Sequence, residues 1–267
     1  MPGTAVFPFS IFDPIHLGID ENGEHVRVNL AERNMLLGGE PGGGKSNALN
    51  LITAHGALSA DCTLILIDGK QVELGPWRHC ADLFIGPSIT DALAAFTRLQ
   101  QIMNTRYDGL LAAGLRKITR ESGEPVYLVV IDEYAYFSAT VGDAREQKAF
   151  SALTRDLVAR GRAAGVIVIL ATQRPSYQVI DPSLRDLFGY RWAFRCTTGA
   201  SSDVVLGHGW AAQGYSAATI DPLARGVSWL LAEDGTPQRI KAAYLTDREI
   251  AELAAYAAHL RGTRQAA

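Results

Sequence analysis

Residues 38–46, which read GGEPGGGKS, constrain the fold of this 267-residue chain more than any other stretch. They match the pattern Gly-x-x-x-x-Gly-Lys-Ser, framed by Gly39 and Gly44. An apolar run, RNMLLGG, precedes them, and KSNALNLITAHGALSA, with apolar residues at helical spacing, follows. Glycines let a backbone wrap around an anion, and the start of a helix points its amides at that anion. The sequence therefore predicts a strand, a phosphate-binding loop and a helix, with a glycine-rich turn as the competing interpretation.

The pattern assigns roles within this loop. Lys45 is expected to contact the β- and γ-phosphates of ATP, and Ser46 is expected to hold Mg²⁺. Together with one carboxylate farther along the chain, the predicted nucleotide-binding residues are Gly39, Glu40, Pro41, Gly42, Gly43, Gly44, Lys45, Ser46, Asn47 and Asp132.

Two later apolar runs end in polar residues that suit hydrolysis. YLVVIDE ends in Asp132, a predicted second Mg²⁺ ligand, and in Glu133, a predicted general base for the attacking water. VIVILATQ ends in Thr172 and Gln173, and Gln173 is predicted to sense the γ-phosphate. The alternatives are a solvated strand end for the acidic pair and a strand-end cap for Gln173.

The order of strands and helices predicts the fold class. Helical segments alternate with the buried strands TLILID, PVYLVVIDE and VIVILATQ, which favours an α/β fold with a mainly parallel sheet and helices on both faces. The extra strand TLILID between the two motifs, and the glutamate beside the metal-binding carboxylate, indicate the RecA-like (ASCE) branch of P-loop NTPases. We expect an irregular lead-in with one short strand, HVRVNL, over residues 1–30, and the ATPase domain over residues 31–267.

Composition limits the partners, the metal or disulfide sites and the cellular compartment that can be expected for the chain. The net charge of −3 does not indicate a nucleic-acid binder, although basic residues outnumber acidic ones over residues 138–195. The three cysteines form no CxxC pair, so neither a disulfide framework nor a zinc site is predicted. No apolar run reaches the ~20 residues of a membrane helix, and the first residues do not resemble a signal peptide. We expect a cytoplasmic protein that meets any membrane through a partner or a missing segment.

Four motifs together resemble one known family. GGEPGGGKS, LILIDGKQVEL, YLVVIDEYAYF and RGRAAGVIVILATQRP, in this order, resemble the motor domain of FtsK/SpoIIIE DNA translocases from about Arg33 to Leu245. The last motif is the most specific, because its arginines have no role in a generic ATPase. Within the family, the compact motor resembles the members of actinobacterial plasmid transfer.

The resemblance implies a homo-oligomeric ring, expected to be hexameric, with ATP at the subunit interfaces and double-stranded DNA in the channel. Such a ring needs a cation from the neighbouring subunit. Arg106, in QQIMNTRYDGLL, aligns with the arginine of the family's RRY helix and is the leading candidate, although a surface arginine is the alternative. Arg162 is the second candidate, and Arg174 is a candidate for acting within its own subunit. The predicted catalytic residues are thus Glu133, Lys45, Gln173, Arg106 and Arg162.

The resemblance also places DNA-contacting loops after two strands. SATVGDAREQK and SYQVIDPSLRD occupy these positions, and the candidate phosphate contacts are Arg145, Lys148, Ser183 and Arg185. Simple surface loops are the alternative.

IDGKQVEL resembles the family's DPKxxEL, with Gly69 in place of the proline. Asp68 is expected to end a strand next to that of the phosphate loop and to support the site. Lys70 is expected to touch phosphate or DNA, and a polar turn is the alternative for both residues.

Three functions fit these observations. The first is an ATPase that translocates double-stranded DNA, in chromosome segregation or conjugative plasmid transfer. The second is a related secretion ATPase of type VII character that binds a signal peptide. The third is a regulatory nucleotide-binding module, against which Glu133 argues.

Overall fold

The computed structural model describes residues 6–31, 33–233 and 235–265, and ten strands within these ranges form one sheet. The strands are β1 Ile15–Asp20, β2 His25–Val28, β3 Met35–Gly38, β4 Cys62–Ile67, β5 Leu83–Ile85, β6 Val126–Ile131, β7 Val166–Thr172, β8 Tyr190–Phe194, β9 Val227–Ala232 and β10 Gln238–Ala242. The α-helices are α1 Lys45–Ala57, α2 Ile89–Ala112, α3 Tyr134–Ala139, α4 Ala144–Arg160, α5 Pro182–Arg185, α6 Gly199–Leu206 and α7 Asp247–Gln265. Short 3₁₀ turns span Gly75–Trp77, Arg120–Ser122, Ala211–Gln213 and Ala217–Thr219.

The sheet has a parallel part and an antiparallel extension. Its order is β2-β1-β10-β9-β8-β3-β7-β6-β4-β5. The strands from β8 to β5 pair in parallel, whereas β9, β10, β1 and β2 join antiparallel beyond β8. The carboxyl ends of the parallel strands therefore meet at one edge, which is where ligands bind in open α/β sheets.

Both faces of the parallel part are buried, because consecutive side chains of a strand point to opposite faces. In β6, Leu128 and Val130 belong to a core beneath α1 and α7, whereas Val129 and Ile131 belong to a second core beneath α2 and α4. The predicted α/β fold of the RecA-like P-loop class, with a mainly parallel sheet and helices on both faces, is confirmed.

Two details differ from the sequence predictions. The lead-in contributes two strands rather than one, because β1 pairs with both β2 and β10 and continues the sheet. β4, the strand that ends before Asp68, does not lie beside β3, the phosphate-loop strand. β7 and β6 lie between them in the sheet. An apolar run alone carries no information on neighbours, so the expectation for Asp68 was wrong on this point.

The domain boundary between residues 30 and 31 stays a prediction. Residues 1–5 of the lead-in and residues 32, 234 and 266–267 lie outside the described residues. None of the helices within the described ranges has the length and apolar character needed to cross a membrane.

The last helix fixes the far end of α1. The buried guanidinium of Arg261 on α7 donates to the carbonyl oxygens of Gly56, Ala57 and Cys62 and to the carboxylate of Asp82. A cation satisfies the free carbonyls at a helix C-terminus and complements the helix dipole. The helix that begins at the phosphate loop is thus held at its other end by the final helix.

Candidate active site

The phosphate loop packs closely against neighbouring strands. Gly44, with a φ of 113°, precedes the first residue of α1. A Cβ at this position would lie 2.8 Å from the Cα of Gly226, just before β9, so only glycine fits. The amide of Gly226 also donates to the carbonyl of Gly43 at 2.9 Å. The loop therefore presents its amides at the carboxyl edge of the sheet while resting on the start of β9.

Lys45 and Asp132 form a buried ion pair at this edge. Their side chains are 3% and 1% exposed, and Nζ of Lys45 lies 3.1 Å from Oδ1 of Asp132. Burial raises the pKa of Asp132, and the attraction of Lys45 offsets part of this effect. Oδ2 of Asp132 is buried and has no hydrogen-bond partner among the residues that the structure describes.

These residues suit a nucleotide with Mg²⁺. A buried carboxylate oxygen without a donor is a hard ligand for a cation, and Ser46 offers a hydroxyl on the adjacent helix turn. Lys45 is positioned beside the same carboxylate, as a lysine that contacts phosphates near the metal must be. The donor set therefore fits the predicted site formed by Lys45, Ser46 and Asp132.

Glu133 is held by the neighbouring strand. Its carboxylate accepts hydrogen bonds from the hydroxyl of Thr172 at 2.8 Å, from the amide of Gln173 at 2.8 Å and from the amide of Ala135 at 3.2 Å. The hydroxyl of Thr172 accepts in turn from the amide of Arg174 at 3.1 Å. The structure thus brings together Glu133 and Gln173, and Thr172 becomes a link that the sequence interpretation left without a role.

A second ion pair lies in the phosphate loop. The carboxylate of Glu40 lies 2.9 Å from the guanidinium of Arg195, which directly follows β8, and the amide of Glu40 donates to the Arg195 carbonyl. Arg195 therefore neutralises an acidic residue beside the expected phosphates. Its partner lies 155 positions away in sequence, so no local pattern indicates Arg195.

The side chain of Asn47 binds the chain beyond β10 rather than the loop. Its amide nitrogen donates to the carbonyl of Ala243, and its amide oxygen accepts from the amide of Leu245 at 2.9 Å. The sequence interpretation placed Asn47 at the nucleotide, and the structure shows its amide engaged by this segment.

A cavity of about 380 Å³ opens between the phosphate loop and this segment. Besides loop residues, its lining includes Gln173 from β7 and a wall that the sequence interpretation missed. This wall is formed by Arg225, Gly226, Lys241, Ala242 and Tyr244.

Asp68 organises the loop after β4. Its carboxylate accepts from the amides of Lys70, Gln71 and Leu74, each at 2.9 Å. This network matches the alternative of a polar turn. A Cβ at Gly69 would lie 2.5 Å from the ring of Tyr136, which accounts for the glycine here.

Arg106 and Arg162, the two candidates for an arginine that acts on the site of a neighbouring subunit, differ in their surroundings. The guanidinium of Arg106 is 10% exposed and donates to the carbonyls of Ala164 and Pro125 at 2.8 and 2.7 Å. It also pairs with Glu124. Arg162 is 46% exposed and pairs with Glu233 at 3.3 Å. Arg106 is therefore engaged within its own subunit, whereas Arg162 is more accessible.

The four candidate DNA contacts also differ. Arg145 and Lys148 lie exposed on the first turns of α4. The hydroxyl of Ser183 donates to Asp181 at 2.6 Å and accepts from Arg155. Arg185 is buried and pairs with Asp186 at 2.8 Å. A phosphate contact by Arg185 would require this packing to open.

Comparison with known proteins places the chain in context. The model of the FtsK/SpoIIIE family matches residues 12–125. The chain is 30% identical to the DNA translocase FtsK of Rhizobium meliloti (strain 1021), over 90% of its own length and 31% of the relative. It is 30% identical to the DNA translocase SftA of Bacillus subtilis (strain 168), over 88% of its own length and 25% of the relative. The chain thus spans about a quarter to a third of the curated relatives that it matches.

Solved structures share the fold. The pCW3 conjugation coupling protein TcpA, solved with ATPγS, superposes with a TM-score of 0.77 at 20% identity, covering 98% of this chain and 77% of that one. The cytoplasmic domain of the type VII secretion ATPase EccC from Thermomonospora curvata gives a TM-score of 0.73 at 21% identity, covering 97% and 32%.

Proposed function

We propose that the chain is a member of the FtsK/SpoIIIE family, whose model matches residues 12–125, and that it is an ATP-hydrolysing motor that moves double-stranded DNA. The observation that carries the proposal is the carboxylate of Glu133, fixed by Thr172 and Gln173 at the sheet edge that holds the Lys45–Asp132 pair. A module that only binds nucleotide has no need of a carboxylate held in this way.

Each residue of the site has a distinct task in this proposal. The loop amides and Lys45 bind the β- and γ-phosphates, and Ser46 and Asp132 hold Mg²⁺, which when bound neutralises phosphate charge. Glu133 accepts a proton from the attacking water. The amide of Gln173 donates to Glu133, so the strand end that is expected to sense the γ-phosphate is tied to the base.

We further propose that subunits form a ring, expected to be hexameric, with a cation supplied across the interface. Arg106 and Arg162 remain the candidates. The 46% exposure of Arg162 supports it over Arg106, whose guanidinium is occupied by carbonyl oxygens of its own subunit. For DNA, Arg145 and Lys148 are exposed cations, whereas the hydroxyl of Ser183 is engaged by Asp181 and Arg155, and Arg185 is buried.

The curated relatives favour DNA over a peptide as the substrate of the motor. Relatives at about 30% identity carry the name DNA translocase. Superpositions at about 20% identity on both a conjugation coupling protein and a type VII secretion ATPase reflect the shared fold alone. A secretion ATPase that binds a signal peptide therefore remains the second candidate.

One experiment separates these functions. ATP turnover is measured with duplex DNA, with a secretion signal peptide and with neither, across a range of protein concentrations. We expect duplex DNA to raise turnover and the rate per subunit to rise cooperatively with concentration. Glu133→Gln is the matched control, because it retains the shape of the side chain and should lose about 10²- to 10⁴-fold in turnover. Turnover that responds to the peptide and not to DNA would refute the DNA motor.

A further inference from the structure

The cavity beside the phosphate loop extends beyond what triphosphate binding requires. One wall is the loop itself, and the opposite wall comes from the last strands of the sheet, around Lys241 and Tyr244. A nucleotide whose phosphates lie on the loop has a base and a ribose still to place, and the cavity of about 380 Å³ offers room for them.

The segment that carries Tyr244 is fixed to the phosphate-loop helix. Asn47, in the first turn of α1, binds Ala243 and Leu245 through the two ends of its amide. These residues flank Tyr244 on both sides. The amide of Ala242 also donates to the carbonyl of Gly226, which itself is bonded to the loop at Gly43. The position of Tyr244 is therefore set relative to the phosphate site.

The ring of Tyr244 is unusually open for a side chain on such a fixed backbone. The residue is 74% exposed while lining the cavity. No other described residue stacks on its ring or hydrogen-bonds to its hydroxyl. An exposed aromatic ring held in place gains most from a flat, apolar partner, and a nucleobase is such a partner.

We propose that Tyr244 is the surface on which the base of the bound nucleotide stacks. The inference rests on the proposed function, because it requires the phosphates to occupy the loop at Lys45. The same wall also supplies positive charge for the phosphate side of the ligand. The ammonium of Lys241 is anchored on the carbonyl of Arg225, and the exposed side chain of Arg225 has no carboxylate partner among the described residues.

The test compares a ligand that has a base with one that lacks it. Dissociation constants for ATP and for inorganic tripolyphosphate are measured by calorimetry on the full chain. We expect Tyr244→Ala to weaken ATP binding about tenfold, as the loss of one base–aromatic stack does, and to leave tripolyphosphate binding unchanged. Tyr244→Phe should bind both ligands as the wild type does. Tyr256→Ala, which removes a half-exposed tyrosine from α7, is the matched control and should change neither.

The outcomes distinguish this inference from the proposed function. Lys45→Ala should weaken both ligands, and unchanged binding of both in that variant would refute the phosphate site itself. If Lys45→Ala behaves as expected but Tyr244→Ala leaves ATP binding unchanged, the stacking proposal fails alone. It also fails if Tyr244→Ala weakens ATP and tripolyphosphate equally, because the effect would then concern the wall and not the base.

Discussion

The hydroxyl of Thr172 donates a hydrogen bond of 2.8 Å to the carboxylate of Glu133. Thr172 is the last residue of β7, and Glu133 follows the end of β6 by two positions; these two strands pair in parallel. The same hydroxyl accepts from the amide of Arg174. The orientation of the proposed base therefore depends on a strand that is followed directly by Gln173, which lines the cavity beside the phosphate loop.

Removing the Thr172 hydroxyl should slow hydrolysis without weakening ATP binding. In Thr172→Val the side chain keeps its shape, but Glu133 loses one of its three donors. We expect turnover to fall about tenfold, a part of the effect of losing a general base, while Thr172→Ser retains activity. Steady-state kinetics together with ATP affinity provide the measurement.

A matched control exists for this change. Thr154 is also fully buried, and its hydroxyl donates to the carbonyl of Phe150 within α4, away from the site. Thr154→Val should leave turnover unchanged in the folded protein. Equal losses in both variants would show that Thr172 acts only through stability.

Complementation between inactive variants should identify the trans arginine. A Lys45→Ala subunit lacks a working nucleotide site but still offers Arg162 to its neighbour. An Arg162→Ala subunit keeps its nucleotide site but offers no such arginine. We expect mixtures of these two variants to regain turnover at the interfaces where both residues are intact. Measuring turnover against mixing ratio tests this expectation.

Arg106→Ala serves as the comparison. Its guanidinium holds the carbonyls of Ala164 and Pro125, so we expect about 1–3 kcal/mol lower unfolding free energy and no recovery on mixing. Recovery with Arg106→Ala and none with Arg162→Ala would reverse the assignment.

The ion pair between Glu40 and Arg195 should tune phosphate affinity. Arg195→Ala leaves an uncompensated carboxylate beside the phosphates, so we expect ATP to bind about two- to fivefold more weakly, the range for partly exposed pairs. Glu40→Gln should bind at least as tightly as wild type, and the double variant should recover the loss. Titrations at low and high salt measure the effect, which salt should reduce.

Arg248→Ala breaks a comparably short but remote ion pair, with Glu252 on α7. No change in ATP affinity is expected there. An Arg195→Ala variant with wild-type affinity at low salt would remove any role for the pair in binding.

The three cysteines should be inert in the folded protein. Burial raises the pKa of Cys62 and of Cys196 to about 12, and that of Cys80 to about 11, from the ordinary value of 9.0. Alkaline conditions should therefore destabilise the fold. The contribution of the buried, protonated thiols to the free energy of unfolding is fully present below pH 9.0. It is lost as the pH rises towards 12, because the thiols of the unfolded chain ionise first. At pH 8, a thiol reagent should react with the unfolded protein and barely with the native one. Rapid reaction of the native protein would contradict the burial of these thiols.

Most residues of the candidate site could be proposed from the sequence because the chemistry they suggest is marked by local patterns. The phosphate loop, Asp132, Glu133 and Gln173 each stand at the end of an apolar run, and parallel strands bring such ends together. The buried strands β3, β6 and β7 were visible for the same reason, since both of their faces are apolar.

What escaped prediction depends on contacts between distant residues. Arg195 is paired with Glu40, and Tyr244 is positioned through Asn47. The partners lie so far apart in sequence that no local pattern of residues indicates the contact. The antiparallel extension was hidden as well, because β1 and β2 are not continuously buried and the pairing of β1 with β10 joins opposite ends of the chain. The in-subunit contacts of Arg106 are largely to backbone carbonyls, which every residue possesses and which no sequence motif marks.

Arg261 gives the site a mechanical connection. Because α1 is stiff and its last carbonyls are bound by this buried guanidinium, a displacement of the phosphate loop along the helix axis must also move α7 or break those hydrogen bonds. Under the proposed function, a force generated at the loop would therefore be transmitted along α1 to its opposite end, where Arg261 of α7 binds. For a motor, this makes α7 a place where strain can be read out, for instance by a distance label between the two helices during turnover.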